Sequence, residues 1–145
     1  MISKSVEETF KIAKDFIGRI LHKKDTRENA KIVALSGDLG AGKTAFTKAV
    51  AEILGIKEKV NSPTFVIMKR YPINLEGYKF FFHIDAYRLK DEKELLLLGW
   101  DEIINNKEHL VFIEWPENVK NIIPKDSRFI EIEHLGEEER NFNLK

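Results

Sequence analysis

The sequence predicts an α/β fold of three layers, in which helices cover both sides of a mixed parallel and antiparallel sheet. Short apolar runs typical of buried strands alternate along the chain with segments of helical periodicity. A glycine-rich turn joins the first such run to a helix, and two pairs of strand-like segments predict hairpins. This order of elements favours an α/β domain. The length of 145 residues fits one domain over residues 1–145.

Composition excludes several classes of protein. The chain has no cysteine, so it cannot form disulfides, cysteine zinc sites or thiol nucleophiles. No stretch approaches the ~18 apolar residues of a membrane span. The first residues also lack a charged-then-apolar signal-peptide pattern. We therefore expect a cytoplasmic protein that does not contact a membrane.

The charges balance in total but are divided along the chain. Residues 1–72 carry 14 basic and 8 acidic side chains, whereas residues 73–145 carry 10 basic and 16 acidic ones. Neutral total charge and the lack of a basic–aromatic motif argue against tight RNA binding. The basic half leaves room for a weak, salt-sensitive contact at most.

The first helix is predicted by a start signal and an apolar face. Ser5 is a favoured N-cap residue, and Glu8 three positions later would complete a capping box. Apolar residues then recur at helical spacing, at Val6, Phe10, Ala13, Ile17, Ile20 and Leu21. These residues form one apolar helix face.

The central elements follow in order. The run over residues 31–36 is short, apolar and unalternating, which predicts a strand buried on both faces. A second helix is expected over about 43–54. Segments 64–71 and 78–85 are rich in β-branched and aromatic residues, and they predict a hairpin with a link over 73–77.

The second half of the chain predicts two short helices and three strands. A short helix is expected after Asp91, followed by one or two helical turns over 100–105. Segment 109–113 predicts another buried strand. Segment 128–134 alternates in polarity, and 139–145 is expected to pair with it as a final strand.

The segment after the first buried strand matches the phosphate-binding pattern G-x-x-x-x-G-K-[ST] in full. Its residues are Gly37, Asp38, Leu39, Gly40, Ala41, Gly42, Lys43 and Thr44. The strand before it and the helix after it supply the context that the mechanism requires. The glycines let the backbone curl around an anion, and the helix N-terminus favours negative charge. The segment therefore predicts a phosphate-binding loop.

Each polar group of this loop has an expected role. The N–H groups from Gly40 to Thr44 would face a β-phosphate, and the N–H of Ala45 would reach the α-phosphate. Lys43 would place its charge between the β- and γ-phosphates, and the Thr44 hydroxyl would bind magnesium. ATP or ADP with magnesium is the expected ligand. ATP is favoured over GTP because the sequence has no guanine-specific Asn-Lys-x-Asp motif.

Two apolar runs are each followed by an acidic residue that could bind magnesium. Run 110–113 ends in Glu114, and run 80–84 ends in Asp85. A glutamate can position or activate a water, whereas an aspartate more often holds the metal. We expect both in the site. His83 shares a strand face with Asp85, so a metal pair is conceivable, but a hydrogen-bonded, half-buried histidine is favoured.

Thr64 follows Asn61-Ser62-Pro63, between the second helix and the next strand. A hydroxyl in such a position can sense a γ-phosphate. From the residues alone, a turn at the entrance to the strand is favoured.

Four motifs occur in a fixed order. They are the phosphate loop 36–44, Ser62-Pro63-Thr64-Phe65, the His-Ile-Asp-Ala-Tyr-Arg-Leu of 83–89, and Ile113-Glu114-Trp115-Pro116, with the Glu-Leu-Leu-Leu-Leu-Gly of 94–99 between the last two. The set resembles the bacterial TsaE family, also called YjeE. The resemblance runs from the first helix to about Pro124, and the combination is far more specific than the loop alone.

The resemblance implies a P-loop ATPase needed for threonylcarbamoyladenosine formation in tRNA. It implies two partner proteins: TsaD, which transfers the threonylcarbamoyl group, and TsaB, its scaffold. ATP hydrolysis would reset or permit their turnover, so the chain would not transfer the group itself.

The resemblance also assigns residues. Glu114 inherits the Walker-B role, with magnesium binding and support of hydrolysis, and Asp85 inherits the second carboxylate. The expected catalytic residues are Glu114, Asp85 and Lys43. Thr64 gains a switch-like role, and Thr9 is placed near the nucleotide base. Magnesium is assigned to Thr44, Glu114 and Asp85.

Two other functions stay open at this point. A small-molecule kinase would use the same loop, although the sequence shows no arginine-rich lid. A binding module could use the nucleotide as a switch without hydrolysing it. For the ATPase, Arg88 is the candidate for an arginine finger within the chain. We expect slow hydrolysis until partners complete the site.

Overall fold

The computed structural model describes residues 1–22, 28–38, 40–58, 67–75 and 77–144. The helices are α1 (Val6–His22), α2 (Lys43–Ile53), α3 (Lys93–Leu97), α4 (Trp100–Ile104) and the 3₁₀ helix Pro116–Ile122. The strands are β1 (Ile2–Ser3), β2 (Lys31–Ser36), β3 (Met68–Leu75), β4 (Tyr78–Asp85), β5 (His109–Glu114), β6 (Arg128–His134) and β7 (Arg140–Leu144).

Within the described residues, the strands form one sheet in the order β1-β7-β6-β2-β5-β4-β3. Strands β6, β2, β5 and β4 run parallel to one another, whereas the hairpins β6–β7 and β3–β4 and the pair β1–β7 are antiparallel. The predicted mixed sheet is confirmed. The carboxyl ends of β2, β4 and β5 meet at one edge, where α/β folds bind ligands.

Each face of the sheet packs a separate apolar core. The first core lies under α1 and α2 and includes Val33, Phe46, Phe81 and Phe112. The second core lies on the opposite face, with α3, α4 and the 3₁₀ helix, and is centred on the fully buried Trp100. Because successive strand residues point to opposite faces, β2, β4 and β5 each contribute to both cores. The three-layer arrangement is therefore as predicted.

The start of α1 carries the predicted capping signal with one difference. The Ser5 hydroxyl accepts from the Glu8 N–H at 3.1 Å, as expected for a capping box. The Glu8 carboxylate accepts from the N–H of Lys4 at 2.6 Å, one residue before the N-cap. Val6, the first residue of the predicted apolar face, is 79% exposed. Burial of the helix face begins at Thr9, one turn later.

The prediction from the sequence misplaced the turn between β3 and β4 and did not include strand β1. Strand β3 continues to Leu75, past a register shift that begins at Pro72. The hairpin turn is therefore shorter than the predicted link over 73–77. The predicted beginning of this strand at Thr64 lies outside the described residues. The short β1 pairs with β7, and no sequence pattern predicted it.

The short helix α3 buries only one of its leucines. Leu95 is fully buried in the second core, whereas Leu97 is 87% exposed. No helix in the described ranges is long and apolar enough to cross a membrane.

Candidate functional site

The glycine-rich loop joins the end of β2 to the start of α2. Gly40 and Gly42 have φ angles of 81° and 109°, and Gly42 is the N-cap of α2. A Cβ atom at Gly42 would lie 2.5 Å from Nε of Arg140. A Cβ atom at Gly37 would lie 2.5 Å from the carbonyl oxygen of Ile132. Backbone conformation and close packing therefore both require glycine here.

The amine of Lys43 is held within the loop that carries it. Lys43 is buried, and Nζ donates to the carbonyl oxygens of Gly37 and Asp38, the latter at 3.0 Å. The same amine lies 4.1 Å from the centroid of the Trp115 ring. Carbonyl oxygens and an aromatic face both stabilise a cation. The positive charge is thus fixed at the mouth of the loop.

Burial and neighbouring acids act on the Lys43 amine in opposite directions. Desolvation lowers the pKa of Lys43 below its ordinary value and is the larger effect. Four carboxylates oppose it by favouring the charged form: Glu114, Glu117, Asp85 and Asp38. The site therefore places one cation among several acids.

The two predicted carboxylates are neighbours across the sheet. Asp85 and Glu114 are paired residues in the parallel register of β4 and β5, and both are buried. Oε1 of Glu114 lies 3.3 Å from Oγ1 of Thr44, at the start of α2. Oδ1 of Asp85 accepts from the N–H of Tyr87 at 3.0 Å. The structure thus brings Thr44 and the carboxylates together at the edge predicted for them.

His83 is hydrogen-bonded to this group. Its Nε2 lies 2.6 Å from Oε2 of Glu114. The predicted hydrogen bond is confirmed, but the predicted half-burial is wrong, because His83 is fully buried. Its place on β4 between Phe81 and Asp85 puts it at the inner end of the site, under α2.

Trp115 follows Glu114 in a left-handed backbone conformation, with φ 59°. Its N–H donates to the carbonyl oxygen of Leu35 at 3.2 Å, and its ring lies 5.0 Å from that of Tyr87. Left-handed geometry is costly for a residue with a side chain and recurs at functional sites. Here the turn directs the indole ring over the Lys43 amine.

Arg140 is a member of the site that the sequence did not indicate. It begins β7, and its guanidinium group packs against Gly42 at the N-terminus of α2. Its Nε is buried and has no hydrogen-bond partner among the described residues. The signal in the sequence was only a basic residue in a tail without motifs. Sheet pairing returns this residue to the loop.

The remaining predicted residues have different positions. Thr9 is buried, and its hydroxyl is 2.7 Å from that of Ser3, which pairs with Arg140 between β1 and β7. The role of Thr9 at a nucleotide base stays a prediction. Ala45 is exposed at the start of α2. Leu39 and Thr64 lie outside the described residues.

The donor set fits magnesium bound together with phosphates. Among the described residues, no group of three or more His, Cys, Asp or Glu side chains could hold a metal alone. Magnesium commonly binds to proteins through one or two carboxylates plus substrate phosphates. Glu114, Asp85 and the Thr44 hydroxyl match that sparse set. A cavity of about 580 Å³, bordered by Gly37, Asp38 and Trp115, opens beside the loop.

Comparisons with known proteins agree in sequence and in fold. The profile described as "Threonylcarbamoyl adenosine biosynthesis protein TsaE" matches residues 3–142. The "tRNA threonylcarbamoyladenosine biosynthesis protein TsaE" of Bacillus subtilis (strain 168) is 41% identical over 113 residues, covering 78% of this chain and 68% of that protein. The protein of the same description from Treponema pallidum (strain Nichols) is 32% identical over 143 residues, covering 99% and 97%. A solved structure described as "Crystal structure of Bacillus subtilus YdiB" superposes with a TM-score of 0.73 and 31% identity, covering 99% of this chain and 82% of that one.

Proposed function

The chain belongs to the TsaE family, and we propose that it acts in threonylcarbamoyladenosine formation in tRNA as a magnesium-dependent ATPase. The observation that carries the catalytic part is the 3.3 Å approach of the Thr44 hydroxyl to the buried Glu114 carboxylate. This contact places the end of a phosphate-binding loop against a strand-end acid, as ATP hydrolysis with magnesium requires.

The loop binds the phosphates of ATP through its backbone and two cations. The N–H groups in the first turn of α2 have no intrahelical partners, so they can bind an anion. Lys43 exchanges its bonds to the Gly37 and Asp38 carbonyls for bonds to phosphate oxygens. Arg140 supports the same end of α2 with a second positive charge.

Thr44, Glu114 and Asp85 would hold magnesium, which would neutralise charge on the β- and γ-phosphates. The chain itself supplies the geometry, because Glu114 and Asp85 leave adjacent parallel strands in register. Glu114 also orients the attacking water and accepts a proton from it, as a general base does. Trp115 and Tyr87 cover this side of the site.

We propose that TsaD and TsaB are the partners of the chain and that it acts in the cytoplasm. Its contact with tRNA would be weak or indirect. Arg88, the candidate arginine finger within the chain, lies three residues beyond Asp85 and is exposed. A partner-supplied arginine can raise hydrolysis by about 10³–10⁵-fold. We therefore propose that the chain alone hydrolyses ATP slowly.

The test is ATP turnover by the purified chain, alone and with TsaD and TsaB, with and without EDTA. We expect the partners to stimulate turnover, EDTA to abolish it, and Glu114→Gln to lower it by about 10²–10⁴-fold. If the partners still stimulate turnover of the Glu114→Gln variant, Glu114 is not the residue that supports hydrolysis. Tight ADP binding without turnover under any condition would favour a nucleotide-dependent binding module. A phosphorylated small-molecule product would favour a kinase.

A further inference from the structure

We propose that His83 is a positioning residue for Glu114. It donates from Nε2 to one carboxylate oxygen and so turns the other oxygen toward Thr44. This inference rests on the proposed hydrolytic role of Glu114. It adds a residue of strand β4 to the machinery of the site.

The hydrogen bond has a defined direction. A carboxylate only accepts hydrogen bonds, so the proton of this bond is carried by Nε2 of His83. The separation of 2.6 Å from Oε2 is short for a nitrogen–oxygen pair, as expected for a bond to an ionised acceptor. Both side chains are almost fully shielded from solvent, with Glu114 2% exposed. Water therefore does not compete for this bond.

The two oxygens of Glu114 have different partners. Oε2 is bonded to His83, while Oε1 is the oxygen nearer to Thr44, at 3.3 Å against 3.5 Å. A glutamate side chain has three rotatable bonds, and contacts at both oxygens restrict its conformation. His83 thus holds the inner side of the carboxylate, and the outer side faces the loop.

Burying the polar imidazole of His83 costs free energy, and the hydrogen bond to Glu114 offsets part of that cost. Phe81 and Phe112 flank it on the same face of the sheet and are fully buried in the first core. Its Nδ1 is buried without a hydrogen-bond partner in the described part of the chain. A leucine would fill such a position without burying unpaired polar atoms. The imidazole therefore makes sense as a donor to Glu114 rather than as packing.

The expected loss of activity on removing His83 can be estimated from other residues that hydrogen-bond a metal-binding side chain. Residues that hydrogen-bond a ligating side chain typically matter by about 10–100-fold in affinity or activity. We expect the loss at His83 to fall mainly on turnover, because the loop contacts the ADP phosphates directly, whereas Glu114 acts through magnesium and the attacking water.

The main experiment compares His83→Leu with His83→Gln, in the full chain with TsaD and TsaB. The amide nitrogen of glutamine can donate to Glu114, whereas leucine cannot. We expect His83→Leu to lower kcat by about 10–100-fold with the Kd for ADP little changed. His83→Gln should recover most of the rate. In a Glu114→Gln background, His83→Leu should cause no further loss.

A second readout does not depend on activity. Nitrogen-15 NMR of the histidine-labelled chain should show His83 protonated on Nε2, with a proton protected from exchange. A His83 protonated only on Nδ1 would overturn the inference. So would equal losses of kcat in both variants with matching drops in melting temperature, because that result indicates packing alone.

The outcomes also separate this inference from the proposed function. A wild-type chain that never hydrolyses ATP, even with the partners, overturns the proposed function and this role of His83 with it. A wild type that hydrolyses ATP and a His83→Leu variant that does so equally fast overturn the inference on His83 alone.

Discussion

The two faces of the sheet each bury an apolar core but differ in chemistry. In the described residues, the buried polar side chains belong to the side of α1 and α2: Ser3, Thr9, Lys43, Thr47, His83, Asp85 and Glu114. The second core, under α3 and α4, contains apolar side chains and the indole of Trp100, whose Nε1 donates to the Ile122 carbonyl at 3.0 Å. Strands β2, β4 and β5 supply alternate residues to the two cores.

This difference shows how one sheet divides its tasks. Buried polar groups weaken a fold unless each has a partner, so they are best confined to one face. On that face, the loop before α2 brings donors and a cation to the acids at the strand ends. The other face is left to packing. Substitutions on the two faces should therefore separate function from stability.

Glu114→Gln should have the largest effect, and on turnover alone. Loss of a general base lowers kcat by about 10²–10⁴-fold. The unfolding free energy should stay within about 1 kcal/mol, because the amide oxygen can still accept a hydrogen bond from His83. Steady-state ATPase assays and urea unfolding check the two parts. A comparable loss of unfolding free energy would contradict the separation of function and stability between the two faces.

Trp100→Ala tests the opposite face. Removing a fully buried tryptophan typically costs about 3–5 kcal/mol of unfolding free energy. We expect that loss in urea unfolding, together with an unchanged Kd for ADP in the folded protein. The comparison between the faces fails if ADP affinity falls in proportion to stability.

Lys43→Ala should act on binding. A hydrogen bond to a charged group contributes about 1.5–3 kcal/mol, so ADP affinity should fall by a corresponding factor. The melting temperature should not fall with it, since the variant removes a buried cation. Calorimetric titration with ADP measures the first effect and thermal unfolding the second. Intact ADP affinity would take Lys43 out of the binding site.

The pH dependence of ADP affinity sharpens this prediction. Burial lowers the pKa of Lys43 below 10.5, and only the protonated amine attracts phosphate. The affinity for ADP should therefore be highest at pH values below the pKa of Lys43 in the protein. It should decline as the pH rises through that pKa. Calorimetry over an alkaline pH series checks the decline. Lys43→Arg should remove it, because arginine keeps its charge throughout that range.

Ile113→Val should have the smallest effect. Ile113 precedes Glu114 directly but points into the second core. The loss of one methylene typically costs about 0.5–1.5 kcal/mol of unfolding free energy. Turnover should not change. Because the two residues are adjacent in sequence and face opposite sides, this variant is the matched control for Glu114→Gln.

The sequence by itself determined the loop, the strands around it and the acids at their ends. A glycine pattern followed by Lys43 and Thr44 is a local signal, since backbone geometry and helix capping act over a few residues. The runs that end in Asp85 and Glu114 are also local. Their order along the chain was enough to place both acids at the carboxyl ends of strands in a mixed sheet.

Tertiary structure decided which distant residues meet. Arg140 reaches Gly42 only because β7 pairs with both β6 and β1, and such pairing depends on sheet order. His83 reaches Glu114 only because β4 and β5 align in one register. A shift of one residue would turn His83 to the other face. Local propensity does not encode sheet order or register, because both are set by burying two cores at once.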